Sequence, residues 1–384
     1  MTKTSNSFHI IANSCKQHLC YYNYYLWEKL KAMDIFTPIQ INGVTIKNRL
    51  VLPPIVNFGW GDKEGFANNK HVVHYKRIAK GGAGLIVVEA TCVQPNGRIF
   101  SYQLGLWDDS HIDNLAEIAQ AIKSQGAVAL IQIHHAGLLT NKRLCEFAHG
   151  PSIDNEKDNS AEMSEEQIIQ LRNDFIQAAQ RAYRAGFDGV ELHGAHGYLL
   201  NQFATSAINH RTDSYGGSHE NMLRLAKEIV DGIKSTTPES FIIGYRTAGC
   251  SPTLDDGIAI AKLLEQYGVH YLHVSHGGTT GINPELPAGL AFNQIVYMGT
   301  QIKKHVNIPV IAVNQIKTPE RANLLVSQDL VDMVAIGRDM LTDPDWAAKA
   351  QNNEAINLCV DCQPRCKRFT KPESCPLFDE SIYS

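Results

Sequence analysis

The chain has no run of 18 or more apolar residues, so no segment reads as a membrane-spanning helix. It has no surplus of positive charge either. Lys and Arg number 35 against 39 Asp and Glu, for a net charge of −4. That balance leaves no electrostatic footprint for nucleic acid or an anionic membrane. No Gly-x-Gly-x-x-Gly follows the first strand-like run, which counts against a dinucleotide-binding doubly wound sheet. No lysine falls at a candidate strand end, which counts against Schiff-base chemistry. A disulfide scaffold is small and secreted, whereas this chain has 384 residues and nine cysteines. The expectation is a reducing, cytoplasmic compartment.

Hydrophobic residues make up 44% of the chain, enough for a sizeable core. Residues 1–32 carry Tyr21-Tyr22-Asn23-Tyr24-Tyr25 and no hydrophobic stretch of secretory-signal length. They read as a disordered N-terminal extension, followed by a catalytic domain over 33–351 and a cysteine-rich tail over 352–384.

Across residues 48–340, short β-branched runs alternate with longer helical patterns. The predicted strands are Leu50–Ile55, Leu85–Glu89, Val128–His134, Gly189–His193, Phe241–Arg246, Tyr271–Ser275, Val310–Val313 and Met333–Ile336. Between them, Ser164–Ala185 reads as an amphipathic helix. Ser164 and Gln167 form its capping box, and Pro319 sits at a first helical turn. Eight strands, each followed by a helix, predict an α/β (β/α)8 TIM barrel. A doubly wound sheet shares the alternation. The barrel is favoured because polar residues gather at the C-terminal ends of many different strands, where barrel active sites are assembled.

The fourth strand runs into Glu191-Leu192-His193-Gly194-Ala195-His196-Gly197-Tyr198. Two imidazoles can donate hydrogen bonds to a substrate oxygen, and Tyr198 can donate a proton at neutral pH. A His-x-x-His metal site and a structural pair are the competing readings, but no carboxylate or third histidine stands at ligand spacing, and the glycine-rich strand end argues against a merely structural pair. The fifth strand ends at Arg246, placed to hold an anion or to pair with Glu191 or Glu89. The last two strands end in Val313-Asn314-Gln315 and Ile336-Gly337-Arg338, at the usual phosphate position of such barrels. There Gly337 admits close backbone approach, and Arg338 can fork to phosphate oxygens.

Four cysteines, Cys359, Cys362, Cys366 and Cys375, crowd the tail. Four thiolates at short spacing suit an iron–sulfur cluster or zinc. Lys367, Arg368 and Lys371 among them would offset negative charge.

Residues 34–346 resemble the Old Yellow Enzyme family of FMN oxidoreductases (NADH:flavin oxidoreductase / NADH oxidase). The most specific stretch is Gly189–Gly217, GVELHGAHGYLLNQFATSAINHRTDSYGG. Phe36-Thr37-Pro38, Lys47–Leu50, Gly82–Ala90, Gln132 with Ala136-Gly137, and Ala335–Pro344 add to it. The resemblance implies that Pro53, Pro54, Ile55 and Val56 lie along the flavin and that Ala90 touches its ring. Gln132 would bond the pyrimidine end, and Arg246 would balance charge on the reduced flavin. Asn314, Gly337 and Arg338 would take the phosphate. His193 and His196 would grip the substrate's activating oxygen, with Tyr198 as proton donor. NAD(P)H would reduce FMN, and an electron-poor small-molecule acceptor such as an activated alkene would then occupy the same pocket. A homo-oligomer stays open.

The sequence departs from the family pattern at Val56, where Thr or Cys is common, and at Asn314-Gln315, where glycines are. Leu138 stands where an arginine is frequent, and Met222 interrupts Glu-Asn-Arg. The tail resembles the 2,4-dienoyl-CoA reductase branch, which carries a four-cysteine [4Fe–4S] site. An iron–sulfur enzyme fed by an external electron carrier, acting on enoyl-CoA-like substrates or methylamines, is therefore the alternative. A phosphate-binding lyase or isomerase and a non-catalytic flavin carrier are the readings from other classes.

Overall fold

In the computed structural model the eight predicted apolar runs close into a barrel. Residues 33–384 are described, apart from 58, 157, 364–365, 367, 369–373, 379–380 and 382–384; the expected N-terminal extension lies outside them. The strands are β1 (Leu50–Leu52), β2 (Leu85–Cys92), β3 (Val128–His134) and β4 (Gly189–Gly194). They continue as β5 (Ile242–Ala248), β6 (Tyr271–Ser275), β7 (Val310–Val313) and β8 (Met333–Ala335). Each pairs in parallel with the next, and β8 pairs back to β1.

All eight expected strands form, and their ends shift by a few residues. β1 stops at Leu52, because Pro53 and Pro54 carry no N–H to continue a ladder. β2 runs on to Cys92 through a register shift between Val88 and Thr91, an irregularity of the kind that re-aims side chains near active sites.

Eight helices follow the strands in turn. The first four are α1 (Asn69–Lys80), α2 (Ile112–Lys123), α3 (Glu165–Arg184) and α4 (Arg224–Thr236). The rest are α5 (Leu254–Tyr267), α6 (Gln294–Lys303), α7 (Pro319–Ser327) and α8 (Trp346–Asn352). In α3 the capping box forms as expected: Ser164 Oγ accepts from Gln167 N, and Ser164 N donates to Gln167 Oε1 at 2.9 Å. Its buried face is Ile168, Leu171, Phe175, Ala178, Ala179 and Ala182, a helical spacing of three and four that turns one stripe onto the strands. Burying Phe175 completely contributes about 1.5–3 kcal/mol.

Strand side chains alternate in direction. One set packs outward under the helices in the large core, and the other fills the barrel interior. The interior is apolar at its lower end, with Val51, Leu85, Val87, Leu130, Ile242 and Met333. An N-terminal hairpin, Ile39–Ile41 with Val44–Ile46, plugs that end and adds Ile41 and Ile46 to the same cluster. Its turn is Asn42-Gly43, both at positive φ, as a two-residue hairpin of this kind requires. With the lower end sealed by apolar contacts, polar inward positions are left to the upper end.

Candidate active site

Four neighbouring strands carry inward polar residues, two apart on three of them. They are Gln132 and His134 on β3, Glu191 and His193 on β4, Arg246 on β5, and Tyr271, His273 and Ser275 on β6. A spacing of two keeps each set on one side of its strand, and all of these residues are buried.

Their lower layer centres on Glu191. Gln132 Nε2 donates to Glu191 Oε1 at 2.9 Å. Tyr271 OH donates to Oε2 at 2.9 Å, and His273 Nδ1 lies 3.0 Å from the same oxygen. The Tyr271 ring reaches Glu191 by crossing β5 at Gly244. A Cβ there would come within 2.1 Å of the ring, so the crossing needs a glycine. Burial opposes ionisation of Glu191, but His273, Arg246 and the Tyr271 hydroxyl outweigh it and hold the carboxyl below its ordinary value. Burial lowers the His273 pKa despite the neighbouring carboxylate. Arg246 is 7% exposed, and its Nε has no hydrogen-bond partner among the described residues. The expected ion pair of Arg246 with Glu191 or Glu89 is not among those observed; Glu191 acts on it only through its nearby charge.

The upper layer is a row of imidazoles. His134 Nδ1 lies 3.0 Å from His193 Nδ1, and His193 Nε2 lies 3.0 Å from His196 Nδ1. His196 Nε2 lies 2.7 Å from Ser275 Oγ. Burial pushes all three imidazoles down in pKa, His134 to about 3 and His193 and His196 well below the ordinary value. Three neutral rings that bond one another account for the His-x-x-His spacing without a metal. Tyr198 packs edge-on against this row, 4.6 Å from the His134 ring centre and 5.0 Å from that of His193. Burial raises its pKa, so the phenol stays protonated at neutral pH.

Beside the row, Pro53, Pro54, Ile55, Arg246, Asn314 and Gly337 line one cavity with Arg338 and Asp339. A Cβ on Gly337 would stand 3.3 Å from Ile55 Cδ1 and 3.5 Å from Pro53 Cγ, tight enough to narrow the cavity. Asn314 and Gln315 hold φ of 98° and 53°. Positive φ favours glycine, and holding it at these two residues costs about 1–3 kcal/mol each. Asn293 Nδ2 steadies the turn, donating to Asn314 Oδ1 at 3.1 Å. Val56, Ala90 and Gln132 are not among the cavity's lining residues. Ala90 is held from outside, its carbonyl accepting from Gln103 Nε2 at 2.8 Å. Asn57, which follows Val56, is clamped by Glu89: its N and Nδ2 donate to the carboxylate at 2.9 and 2.7 Å.

Arg338 departs from expectation. Its Nη1 pairs with Asp361 Oδ1 at 2.8 Å, and Lys317 Nζ pairs with Oδ2 of the same carboxylate at 2.7 Å. Asp361 belongs to the cysteine tail, so the tail is docked on the arginine that follows β8. Cys359, Cys362, Cys366 and Cys375 line a single small cavity with Arg338 and Arg368. Among the described residues, no three His, Cys, Asp or Glu converge tightly enough to hold one metal ion.

Sequence reasoning singled out Gln132, His193, His196, Tyr198 and Arg246, and the structure brings them to one end of the barrel. It overlooked His134, Tyr271, His273 and Ser275 as site residues, and saw Glu191 only as a salt-bridge partner. The spacing of two along β3, β4 and β6 was the signal that could have found them.

The family model described as NADH:flavin oxidoreductase / NADH oxidase matches residues 34–357. The chain is similar to an NADH oxidase of Thermoanaerobacter brockii, 37% identical over 87% of this chain and 53% of that protein. It is 36% identical to an NADPH dehydrogenase of Bacillus licheniformis, over 83% of this chain and 95% of the other. Thus it spans about half of the first relative and nearly all of the second. Among solved structures, morphinone reductase superposes with a TM-score of 0.74 at 25% identity, covering 88% of this chain and 93% of that one. Among the described residues, no helix is long and apolar enough to cross a membrane.

Proposed function

The chain belongs to the NADH:flavin oxidoreductase / NADH oxidase family, and from that premise we propose that it is an FMN-dependent NAD(P)H oxidoreductase acting on electron-poor small molecules such as activated alkenes. The observation that carries this reading is a buried arginine with a free Nε, in a cavity that also holds Gly337 and Arg338. A buried cation with donors to spare fits a group that is anionic at one end and rich in acceptors at the other. FMN, when bound, supplies the acceptor and donor of hydride between NAD(P)H and the substrate.

The residues divide the remaining work. Gly337, Asn314 and Arg338 take the phosphate, with Arg338 shared between phosphate and Asp361. Pro53, Pro54, Ile55 and Val56 form a rigid edge, anchored by the Asn57–Glu89 clamp, with Ala90 on the ring. Gln132 has its amide nitrogen committed to Glu191, an acceptor-only carboxylate, so its oxygen remains to receive an N–H. Arg246 supplies positive charge for the reduced pyrimidine. His193 and His196 hold the acceptor's oxygen, and Tyr198 delivers the proton. Buried, neutral imidazoles polarise that oxygen by hydrogen bonding without carrying charge of their own.

We propose further that residues 33–351 form the catalytic unit and that 352–384 is a cluster-bearing tail of a cytoplasmic protein. Four cysteine residues around one cavity, with no three metal-binding groups converging on a point among the described residues, suit a cluster with ligands spread over its corners. A zinc ion needs all four within one coordination shell. Arg338 and Arg368 at the cavity would offset the thiolates' charge.

The test is an absorbance spectrum of anaerobically purified protein, with iron, zinc and acid-labile sulfide assayed on the same sample. Flavin bands with iron and sulfide support both parts. Flavin alone retains the reductase and removes the cluster. A colourless protein that takes up no added FMN overturns the reading.

Glu191→Gln offers a second check. It removes the negative charge near Arg246 while keeping an amide that can accept from Gln132. The flavin's reduction potential should then rise, because the arginine's field is no longer opposed. A tenfold change in the two-electron equilibrium is a shift of about 30 mV, readable by dye-equilibrated titration. An unchanged potential would mean that Glu191 does not act on the flavin.

A further inference from the structure

The imidazole row has two self-consistent arrangements of its protons. Each neutral ring carries one N–H, and each contact in the row needs one proton. If His134 holds its proton on Nδ1, it donates to His193 Nδ1. His193 must then be protonated on Nε2 and donate to His196 Nδ1, and His196 Nε2–H donates to Ser275 Oγ. In the reverse arrangement Ser275 donates to His196 Nε2, and every proton moves to the opposite nitrogen. His134 Nε2 would then carry a proton.

The far nitrogen of His134 separates the two. His134 is fully buried, and its Nε2 has no partner among the described residues. A buried N–H without a partner is among the rarest features of native structures, and an unfilled acceptor is less so. The first arrangement leaves a lone pair there, and the second would leave an orphaned N–H. The first is therefore favoured, and it makes both His193 Nε2 and His196 Nε2 donors. An acceptor's carbonyl or nitro oxygen requires such donors. With the row reversed, His193 Nε2 would be an acceptor and would repel that oxygen.

We infer that His134 is a positioning residue that sets the tautomer of His193, so that the Nε2–H groups of His193 and His196, bonded to His196 Nδ1 and Ser275 Oγ in this structure, are donors that a substrate's oxygen can share. The inference rests on reading this pocket as the one that holds the acceptor. His134 acts through His193. It selects among ligands by favouring those with an anionic or carbonyl oxygen over those whose matching atom is an N–H.

The experiment uses the holoenzyme labelled with 15N-histidine. Long-range 1H–15N correlation reads which ring nitrogen of His193 carries the proton. The expected result is the Nε2–H form in the wild type, lost in His134→Leu and restored in His134→Asn, whose amide N–H takes the place of Nδ1–H. In parallel, 4-hydroxybenzaldehyde is titrated and its charge-transfer band with the flavin followed. His134→Leu should bind it about tenfold more weakly, as expected for one lost hydrogen bond of about 1.4 kcal/mol. His134→Asn should bind it nearly as the wild type does. A wild-type His193 protonated on Nδ1 overturns the inference, and that measurement needs no variant to fold. So does His134→Leu with unchanged tautomer and affinity. A wild type that retains no flavin would instead sink the reading of the pocket, and the tautomer measurement would still judge the row.

Discussion

Tyr198→Phe slows reduction of the acceptor by about 10²–10⁴-fold and leaves reduction of the enzyme by NAD(P)H nearly unchanged. The substitution removes one hydroxyl and keeps the ring, which packs edge-on against His134 and His193. The imidazole row therefore stays in place, and the loss reads the proton alone. Hydride reaching an activated alkene leaves a carbanion-like centre that needs that proton. Delivery of hydride from the nicotinamide needs none, so only one half-reaction suffers. Burial raises the Tyr198 pKa above its ordinary value near 10. The donor thus remains protonated across the neutral range, and the wild-type acceptor half-reaction should not lose rate as pH rises to about 9. Stopped-flow measurement of the two half-reactions decides the matter. Equal losses in both would remove Tyr198 as the proton donor.

Acid should unfold the protein well above the range of ordinary carboxylate titration. Four buried imidazoles have strongly lowered pKa values, each mainly through burial: His71 to about 4 and His74, His134 and His135 to about 3. In the unfolded chain each would titrate near 6.5. Between those limits the unfolded state binds more protons, so stability falls as pH falls. The stabilisation is fully present above about pH 6.5. By pH 5 each imidazole has lost about 2 kcal/mol of it. Glu89 works in the opposite sense. Burial raises its pKa to about 7, so the folded state holds a proton that the unfolded one releases, and this contribution grows as pH falls towards 4.5. It offsets roughly one imidazole's share. The net loss is several kcal/mol against a total stability of about 5–15 kcal/mol. Urea denaturation at pH 7.5, 6 and 5 should show a steep drop in midpoint below pH 6.5. A flat profile would mean that these histidines are hydrated or paired in solution.

The barrel was legible because its signal is local. Leu85–Glu89, Val128–His134 and Tyr271–Ser275 are apolar runs of strand length, and Ser164 with Gln167 marks a helix start through contacts three residues apart. Not every misjudged end had a local cause like the prolines that stop β1. β2 extends past Glu89 because a register shift against β3 lets Thr91 and Cys92 rejoin the ladder. Nothing in the run Leu85–Cys92 encodes that shift.

Arg338 shows the same limit at the site. As Gly-Arg after the last strand, it reads as a phosphate ligand. Its pairing with Asp361, 23 residues downstream, depends on how the tail folds back, which spacing does not reveal. The roles of Glu191, Tyr271 and His273 were hidden for a related reason. Tyr271 and His273 meet Glu191 across an intervening strand, and the path of Tyr271 is open because residue 244 is glycine.

By itself, then, the sequence determined the number and order of strands and helices, the membership of His193, His196, Tyr198 and Arg246 in one strand-end cluster, and the gathering of four cysteines in the tail. These follow from hydrophobic period and short-range spacing, which act along the chain. Only the tertiary structure decided which polar groups bond, which are left unpaired, and in which direction the imidazole protons run. Those outcomes depend on burial and on distances of about 3 Å between strands far apart in sequence, where one missing partner changes the preferred protonation of a whole row.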